Sequence, residues 1–142
     1  IQDIRKYPKD QIDTELLEAF ELEKMYHKKM STLSGGTTQK VSAVLAFMFN
    51  PKIIILDEPT AGLDPLASEI LKNKIIKEKD KGKLIIITSH LLSELDEIIT
   101  QIVFMNEGRI LVHQPVEELQ KATGKEKISD AIVTILKQMK DE

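Results

Sequence analysis

Cysteine and tryptophan are absent from the 142 residues, and aromatic side chains are few, four Phe and two Tyr. Without cysteine there is no disulfide framework, no thiolate zinc or iron–sulfur site and no thiol nucleophile. A surplus of positive charge is also lacking: 20 Lys and Arg stand against 23 Asp and Glu, a formal net charge of -3. A nucleic-acid binder normally carries a basic surplus, so no nucleic acid is expected as a partner. Long apolar runs are missing as well. The longest uncharged stretch, Val41 to Pro51, has 11 residues, against the roughly 20 that a membrane-spanning helix needs. No basic, then apolar, leader with a cleavage site opens the chain. The chain is therefore expected to be soluble and to reach a membrane only through a partner. It starts at Ile1 without an initiator methionine, which suggests a piece of something longer.

What is present is the composition of a globular domain, 42% hydrophobic and 30% charged. A chain of this length buries roughly 68–70% of the surface its unfolded form exposes. Asp10 is placed to cap a helix through Ile12, Leu16, Ala19 and Phe20, followed by a less regular stretch from Leu22 to Met30. Ser34 is placed to open a second helix with Val41, Val44, Leu45 and Met48 on one face, ended by Asn50-Pro51. Lys52 to Asp57 and Leu84 to Thr88 read as strands buried on both faces. Between them Asp64-Pro65 starts a helix through Leu66, Ile70, Leu71 and Ile75 that ends at Gly82.

A short amphipathic helix is expected from Leu91 to Ile98, then a hairpin around Asn106-Glu107-Gly108. Pro115 opens a helix that closes at Gly124, and Ile128, Ala131, Ile132, Ile135 and Met139 share one stripe of a last helix. Strands alternating with helices give an α/β fold with a largely parallel sheet.

Four places carry candidate chemistry. Leu33-Ser34-Gly35-Gly36 stands at a helix start. There the first-turn amides lack intrahelical partners and the helix dipole adds positive charge, which suits a phosphate. On its own the same run reads equally as a capping serine with two glycines easing a tight turn. Twenty-one residues after Gly36, Asp57 ends the apolar strand and Glu58 follows. Such a pair can place its first carboxylate on Mg²⁺, usually through water, and aim its second at an attacking water. In isolation it also fits a plain polar strand terminus. Asp64 is a helix cap that can face a partner too. His90, at the end of the second strand, sits at the edge where open α/β sheets bind ligands, although a lone histidine there is more often simply on the surface. His27 and His113 form no metal spacing with it.

Taken together, LSGGTTQK, IIILDEPTAGLD and IIITSH resemble the nucleotide-binding domain of ABC ATPases in order and spacing, over essentially the whole chain. LSGG alone would recur by chance on the order of once in 10³ chains of this size. The resemblance implies that Ser34, Gly35, Gly36 and Thr37 form the signature motif and bind ATP, and that Asp57 ends the Walker B strand and holds Mg²⁺. It implies that Glu58 is the catalytic glutamate, Asp64 a D-loop residue and His90 the switch histidine. Thr37 stands where the family usually has Gln, and Lys40 where it often has Arg. No G-x-x-x-x-G-K-[ST] loop occurs; Gly82-Lys83 and Gly124-Lys125 lack its first glycine and its Ser or Thr.

By this resemblance the chain is the C-terminal portion of such a domain, a partial RecA-like P-loop NTPase core. Residues 1–50 would end the helical subdomain, 51–114 would form the distal half of the core, and 115–142 the C-terminal helices. The function implied is that of the ATP-binding subunit of an ABC transporter, with ATP and Mg²⁺ as cofactors. A second nucleotide-binding domain, as a homodimer, and a transmembrane permease would be its partners. Its place would be cytoplasmic, peripheral on the inner face of the cell membrane. The run from Ser68 to Glu97 is similar to bacterial ATPases linked to copper delivery and nitrous-oxide reductase maturation. A soluble ABC ATPase of DNA repair, chromosome organisation or translation is the alternative, as is a non-catalytic dimerisation fragment. The fragment alone is expected to be inactive, with the edges of LIIIT and QIVFM unpaired and open to another chain.

Overall fold

The computed structural model describes residues 7–139, which form two compact units that divide between Ser89 and His90. The first unit holds a short helix α1 (Glu15–Ala19), the helix α2 (Gly35–Phe47), strand β1 (Ile53–Asp57), helix α3 (Pro65–Asp80) and strand β2 (Leu84–Thr88). β1 and β2 pair in parallel, from Ile53 opposite Leu84 to Asp57 opposite Thr88, with α3 as the crossover. A parallel pair needs such a crossover, because a tight hairpin reverses the chain direction. α2 packs on β1 and α3 on β2. Leu16, Phe20, Val44, Phe47, Ile54, Leu56, Leu71 and Ile75 are buried in this unit.

The structure corrects several expectations here. Both strands are covered on one face only. Ile54 and Leu56 point inward, but Ile53 and Ile55 are 58% and 70% exposed, and Leu84 and Ile86 opposite them are 55% and 46% exposed. Helices of this unit lie on the inner face, so the apolar run fits a two-sided strand while the chain supplies a single cover. Asp10 caps nothing: it lies in a 3-10 turn, Lys9–Gln11. α1 starts only at Glu15, after Thr14, whose hydroxyl donates to Glu18 Oε1 at 2.5 Å. Leu16 and Phe20 are buried as the spacing required, whereas Ala19 is exposed. On α2 the buried residues are Ala43, Val44 and Phe47, with Val41, Leu45 and Met48 half-buried beside them.

A charged cluster inside this unit has no sequence signature. Lys74 and Glu78, one turn apart on α3, are 2% and 0% exposed. Lys74 Nζ donates to Asp13 Oδ2 at 2.5 Å and Glu15 Oε2 at 2.8 Å, and pairs with Glu78 Oε1 at 3.1 Å. Glu78 also pairs with Lys81 at 2.7 Å and with Lys83. Burial works against both charges, but the partners outweigh it. Lys74 is raised above its ordinary 10.5 by Asp13, Glu15 and Glu78. The carboxyl of Glu78 is held at about 2 by Lys81, Lys83 and Lys74. Asp13 N–H donates to the Met48 carbonyl at 2.9 Å, so the cluster ties α3 to the chain around α1 and the end of α2.

The second unit holds β3 (Gln101–Asn106), β4 (Arg109–Pro115), α4 (Val116–Thr123) and α5 (Ile128–Gln138). β3 and β4 form an antiparallel hairpin, with an irregularity between Phe104 and Met105. Its two-residue turn, Glu107-Gly108, has φ of 48° and 74°. Positive φ at both central residues gives the twist that a tight hairpin needs. α4 opens after Pro115 and ends at Gly124, as the sequence predicts, and Ile128, Ala131 and Ile132 bury the stripe of α5. The helix expected from Leu91 to Ile98 is instead a 3-10 turn, Leu92–Glu94. Leu95 and Ile98 N–H donate to the carbonyls three residues back, and both side chains are buried. So short a segment is a poor helix nucleus, and the tighter turn still buries the two apolar residues. Among the described residues no helix is long and apolar enough to cross a membrane.

Candidate functional site

The helix α2 begins where its sequence says it should. Ser34 is extended, its hydroxyl accepts from Thr37 N–H at 3.3 Å, and the Ser34 and Thr37 hydroxyls lie 2.8 Å apart. Thr37, in place of the usual Gln, is thus engaged in the cap itself. The two glycines do different jobs. Gly35 is exposed and a Cβ on it would meet nothing within 4 Å, so no other part of the chain crowds this end of the helix, where first-turn amides suit an anion. A Cβ on Gly36 would come within 2.7 Å of the Gly62 carbonyl oxygen. Gly36 is therefore one point at which α2 touches the loop after β1, and a side chain fits there only if the helix or the loop shifts.

That loop carries the carboxylates. Asp57 is the last residue of β1, opposite Thr88, whose hydroxyl donates to Asp57 Oδ1. Glu58 follows at φ 45°, a left-handed conformation that costs on the order of 1–3 kcal/mol for a non-glycine residue. It is held there by its neighbours. Glu58 N–H donates to the Thr88 carbonyl at 3.0 Å, and its carbonyl accepts from Ala61 N–H at 3.1 Å. Gln39 Nε2 donates to the Glu58 carbonyl at 3.0 Å and the Pro59 carbonyl at 3.1 Å.

Asp64 does both things its position allows. Its Oδ1 accepts from Ala67 N–H at 2.9 Å, capping α3, and its Oδ2 pairs with Lys40 Nζ at 2.7 Å. Lys40, and then the Ala67 amide, hold this carboxyl below its usual range. Lys40 also lies 5.8 Å from the centre of the Phe20 ring.

Ser34, Gly35, Gly36, Thr37, Asp57, Glu58 and Asp64 thus all belong to the first unit, joined by Gly36 on Gly62, Lys40 on Asp64 and Gln39 on the Glu58 loop. His90, exposed, is the first residue of the second unit. Gln39 lies outside the residues to which the motifs assign a role. Its signal is a polar residue on the stripe Gly36, Gln39, Lys40, Ala43 and Phe47, whose last two members are buried.

Among the described residues no three His, Asp or Glu side chains gather as a metal cluster. Asp57 offers one exposed carboxylate beside a threonine hydroxyl. This donor set fits Mg²⁺, which keeps several waters and takes one or two carboxylates along with phosphate oxygens.

Comparison with known proteins bears on the same residues. The sequence pattern of a family described as ABC transporter matches residues 3–61. An uncharacterized ABC transporter ATP-binding protein, YhaQ of Bacillus subtilis (strain 168), is 32% identical over 113 residues, 80% of this chain and 38% of that protein. The energy-coupling factor transporter ATP-binding protein EcfA2 of Caldanaerobacter subterraneus subsp. tengcongensis is 36% identical over 132 residues, 89% of this chain and 46% of that protein. A solved ATP-binding subunit of an ABC transporter superposes with a TM-score of 0.79 at 28% identity, over 90% of this chain and 54% of that one. The chain therefore spans about half the length, or less, of the proteins it matches. Motifs, fold and relatives agree: the chain belongs to the ABC transporter ATP-binding domain family, with a RecA-like α/β fold.

Proposed function

We propose that this chain supplies a carboxylate edge to one ATP-hydrolysing site of an ABC transporter and a signature end to the site of a second nucleotide-binding domain. The observation that carries this is the pairing, in one unit, of an open helix N-terminus at Ser34–Gly36 with the strand end at Asp57-Glu58. When bound, Mg²⁺ would neutralise charge on the phosphates of ATP. Asp57 would hold that ion through water, and Glu58 would take a proton from the attacking water. His90 would contact the γ-phosphate. Ser34, Gly35, Gly36 and Thr37 would offer hydroxyl and amide donors to the nucleotide of a second nucleotide-binding domain, and Asp64 would face that domain. In this reading residues 1–50 end the helical subdomain, 51–114 belong to the core, and 115–142 are C-terminal helices.

A permease subunit and a second copy are the proposed partners, with the chain at the inner face of the cell membrane. The relatives, an ABC transporter ATP-binding protein and an energy-coupling factor transporter ATP-binding protein, favour transport over the repair and translation members.

The 142 residues contain no G-x-x-x-x-G-K-[ST] loop, whose amides and lysine cradle the phosphates in P-loop enzymes. The test is ATP turnover by the chain alone and by the chain complemented with the first half of an ABC ATP-binding domain that bears such a loop. The expected outcome is no turnover alone, and turnover on complementation that Glu58→Gln abolishes. Hydrolysis by the chain alone that depends on Glu58 would overturn the division of labour. Turnover untouched by Glu58→Gln would overturn the role of Glu58.

A further inference from the structure

We infer that Gln39 is a positioning residue for the Glu58 carboxylate, the clamp by which helix α2 sets the bend at the end of β1. The inference rests on the reading of Glu58 as the base. Gln39 Nε2 bonds two successive carbonyls, those of Glu58 at 3.0 Å and Pro59 at 3.1 Å. Only a donor can join two acceptors, so the amide of Gln39 has one usable orientation here. The backbone it grips is an unusual one. Glu58 has φ 45° and precedes a proline, which further disfavours the right-handed helical region. The backbone at Glu58 is bonded to Thr88 and Ala61 through main-chain groups, while Gln39 reaches it with a side chain from a different element.

A carboxylate that must take a proton from water needs its backbone fixed, because a displacement of an ångström is costly to catalysis. Gln39 lies only one turn beyond the amides that Ser34–Gly36 present, and next to Lys40, which pairs with Asp64. One short segment of α2 thus carries the anion-binding end, the contact with the loop at Gly62 and the grip on Glu58. The Thr37 hydroxyl and amide are both engaged with Ser34 at the cap, so Thr37 does not duplicate this grip.

The test uses three substitutions in the complemented domain. Gln39→Met keeps the reach without a donor, Gln39→Glu keeps the shape but sets oxygen against the carbonyls, and Gln39→Lys restores a donor. The first two should lower kcat by about 10- to 100-fold with KM for ATP within about 2-fold, and Gln39→Lys should recover most of the loss. In the 142-residue chain alone, amide exchange at Ala61 should be about 10-fold faster in Gln39→Met, at an unchanged melting temperature. An unchanged kcat, an unchanged exchange at Ala61, or a fall in kcat that tracks a fall in melting temperature would overturn the clamp. Glu58→Gln separates the two readings. If it abolishes turnover while Gln39→Met does not alter it, the clamp alone fails. If turnover survives Glu58→Gln, the role of Glu58 fails, and exchange at Ala61 still decides whether Gln39 fixes the bend.

Discussion

The first unit is held by several charged and amide side chains that reach distant segments, whereas the second is built on a tight hairpin and two adjacent helices, with a long-range side-chain bond from Ile128 N–H to Asp96 Oδ1. In the first, Lys74 reaches back 61 residues to Asp13, Lys40 forward 24 to Asp64, and Gln39 forward 19 to the Glu58 carbonyl. In the second, a two-residue turn closes β3 on β4, and Gly124 ends α4 just before α5 begins. The cores differ as well. Leu119, Ile128, Ala131 and Ile132 are buried in the second unit with no buried charge among the described residues, whereas the first encloses Lys74 and Glu78. The unit that carries every candidate site residue but His90 is thus the one with ionised groups in its core.

The largest expected effect comes from disrupting those ionised groups. Lys74→Ala leaves Asp13 and the fully buried Glu78 short of their common partner, and removing one member of a buried ion cluster costs about 3–5 kcal/mol. Urea denaturation read through residue-resolved exchange should show the loss at α3 and β1, with α5 unaffected. Equal loss in α5 would erase the distinction between the units.

Acid should act in the same direction. The carboxyl of Glu78 sits at about 2 when folded against an ordinary 4.5, so the folded state binds fewer protons between these values. Its contribution, on the order of 3 kcal/mol, is complete above pH 4.5 and lost as pH falls toward 2. Lys74 has the opposite sign. Raised from 10.5, it contributes fully below that value, and its contribution fades only at higher pH, as its folded value is approached. Stability of the first unit followed by exchange from pH 6 to 2.5 should therefore fall by more than that of the second.

This contrast also explains what the sequence could and could not reveal. Features made by neighbours are legible in it: Ser34 and Asp64 cap their helices through amides three residues on, Glu107-Gly108 turns the hairpin, and Gly124 ends α4. The candidate residues around Ser34, Asp57 and Asp64 were legible for the same reason, because their motifs are short and local. Asp10 failed as a cap because an acceptor at a possible start does not make a helix when the chain there takes a 3-10 turn. Lys74 and Glu78 look like exposed helix charges, and only the fold brings Asp13, Glu15 and Lys83 to them. Gln39 is intermediate. Its place on the buried stripe is periodic, but its partners are carbonyls, which no sequence pattern marks.

A smaller effect sharpens the difference between a glycine required by a neighbour and one required by its own backbone. In Gly36→Ala the new methyl would lie 2.7 Å from the Gly62 carbonyl oxygen, so α2 or the loop must move, at a cost of about 1–3 kcal/mol. In Gly108→Ala there is open space, and the strain comes from φ 74° alone, about 1–2 kcal/mol. Denaturation midpoints should fall for both. Only Gly36→Ala should also disturb the chemical shifts of Lys40 and Asp64 in NMR spectra, because only there does the strain reach a contact between distant segments. A Gly36→Ala variant with unaltered shifts at Lys40 and Asp64 would mean that the contact at Gly62 gives way without moving α2.

The smallest effect tests the uncovered face of the parallel pair. Ile55 is 70% exposed and stands opposite Ile86, while its neighbour Ile54 is buried. Ile55→Thr keeps the branched shape that strands favour and removes little buried surface. It should change stability by no more than about 0.5 kcal/mol, as for ordinary surface substitutions, whereas Ile54→Ala should cost about 2–5 kcal/mol. The two denaturation curves give the ratio directly. A cost for Ile55→Thr approaching that of Ile54→Ala would mean that the outer face is buried in solution, and its dependence on protein concentration would tell whether another copy covers it.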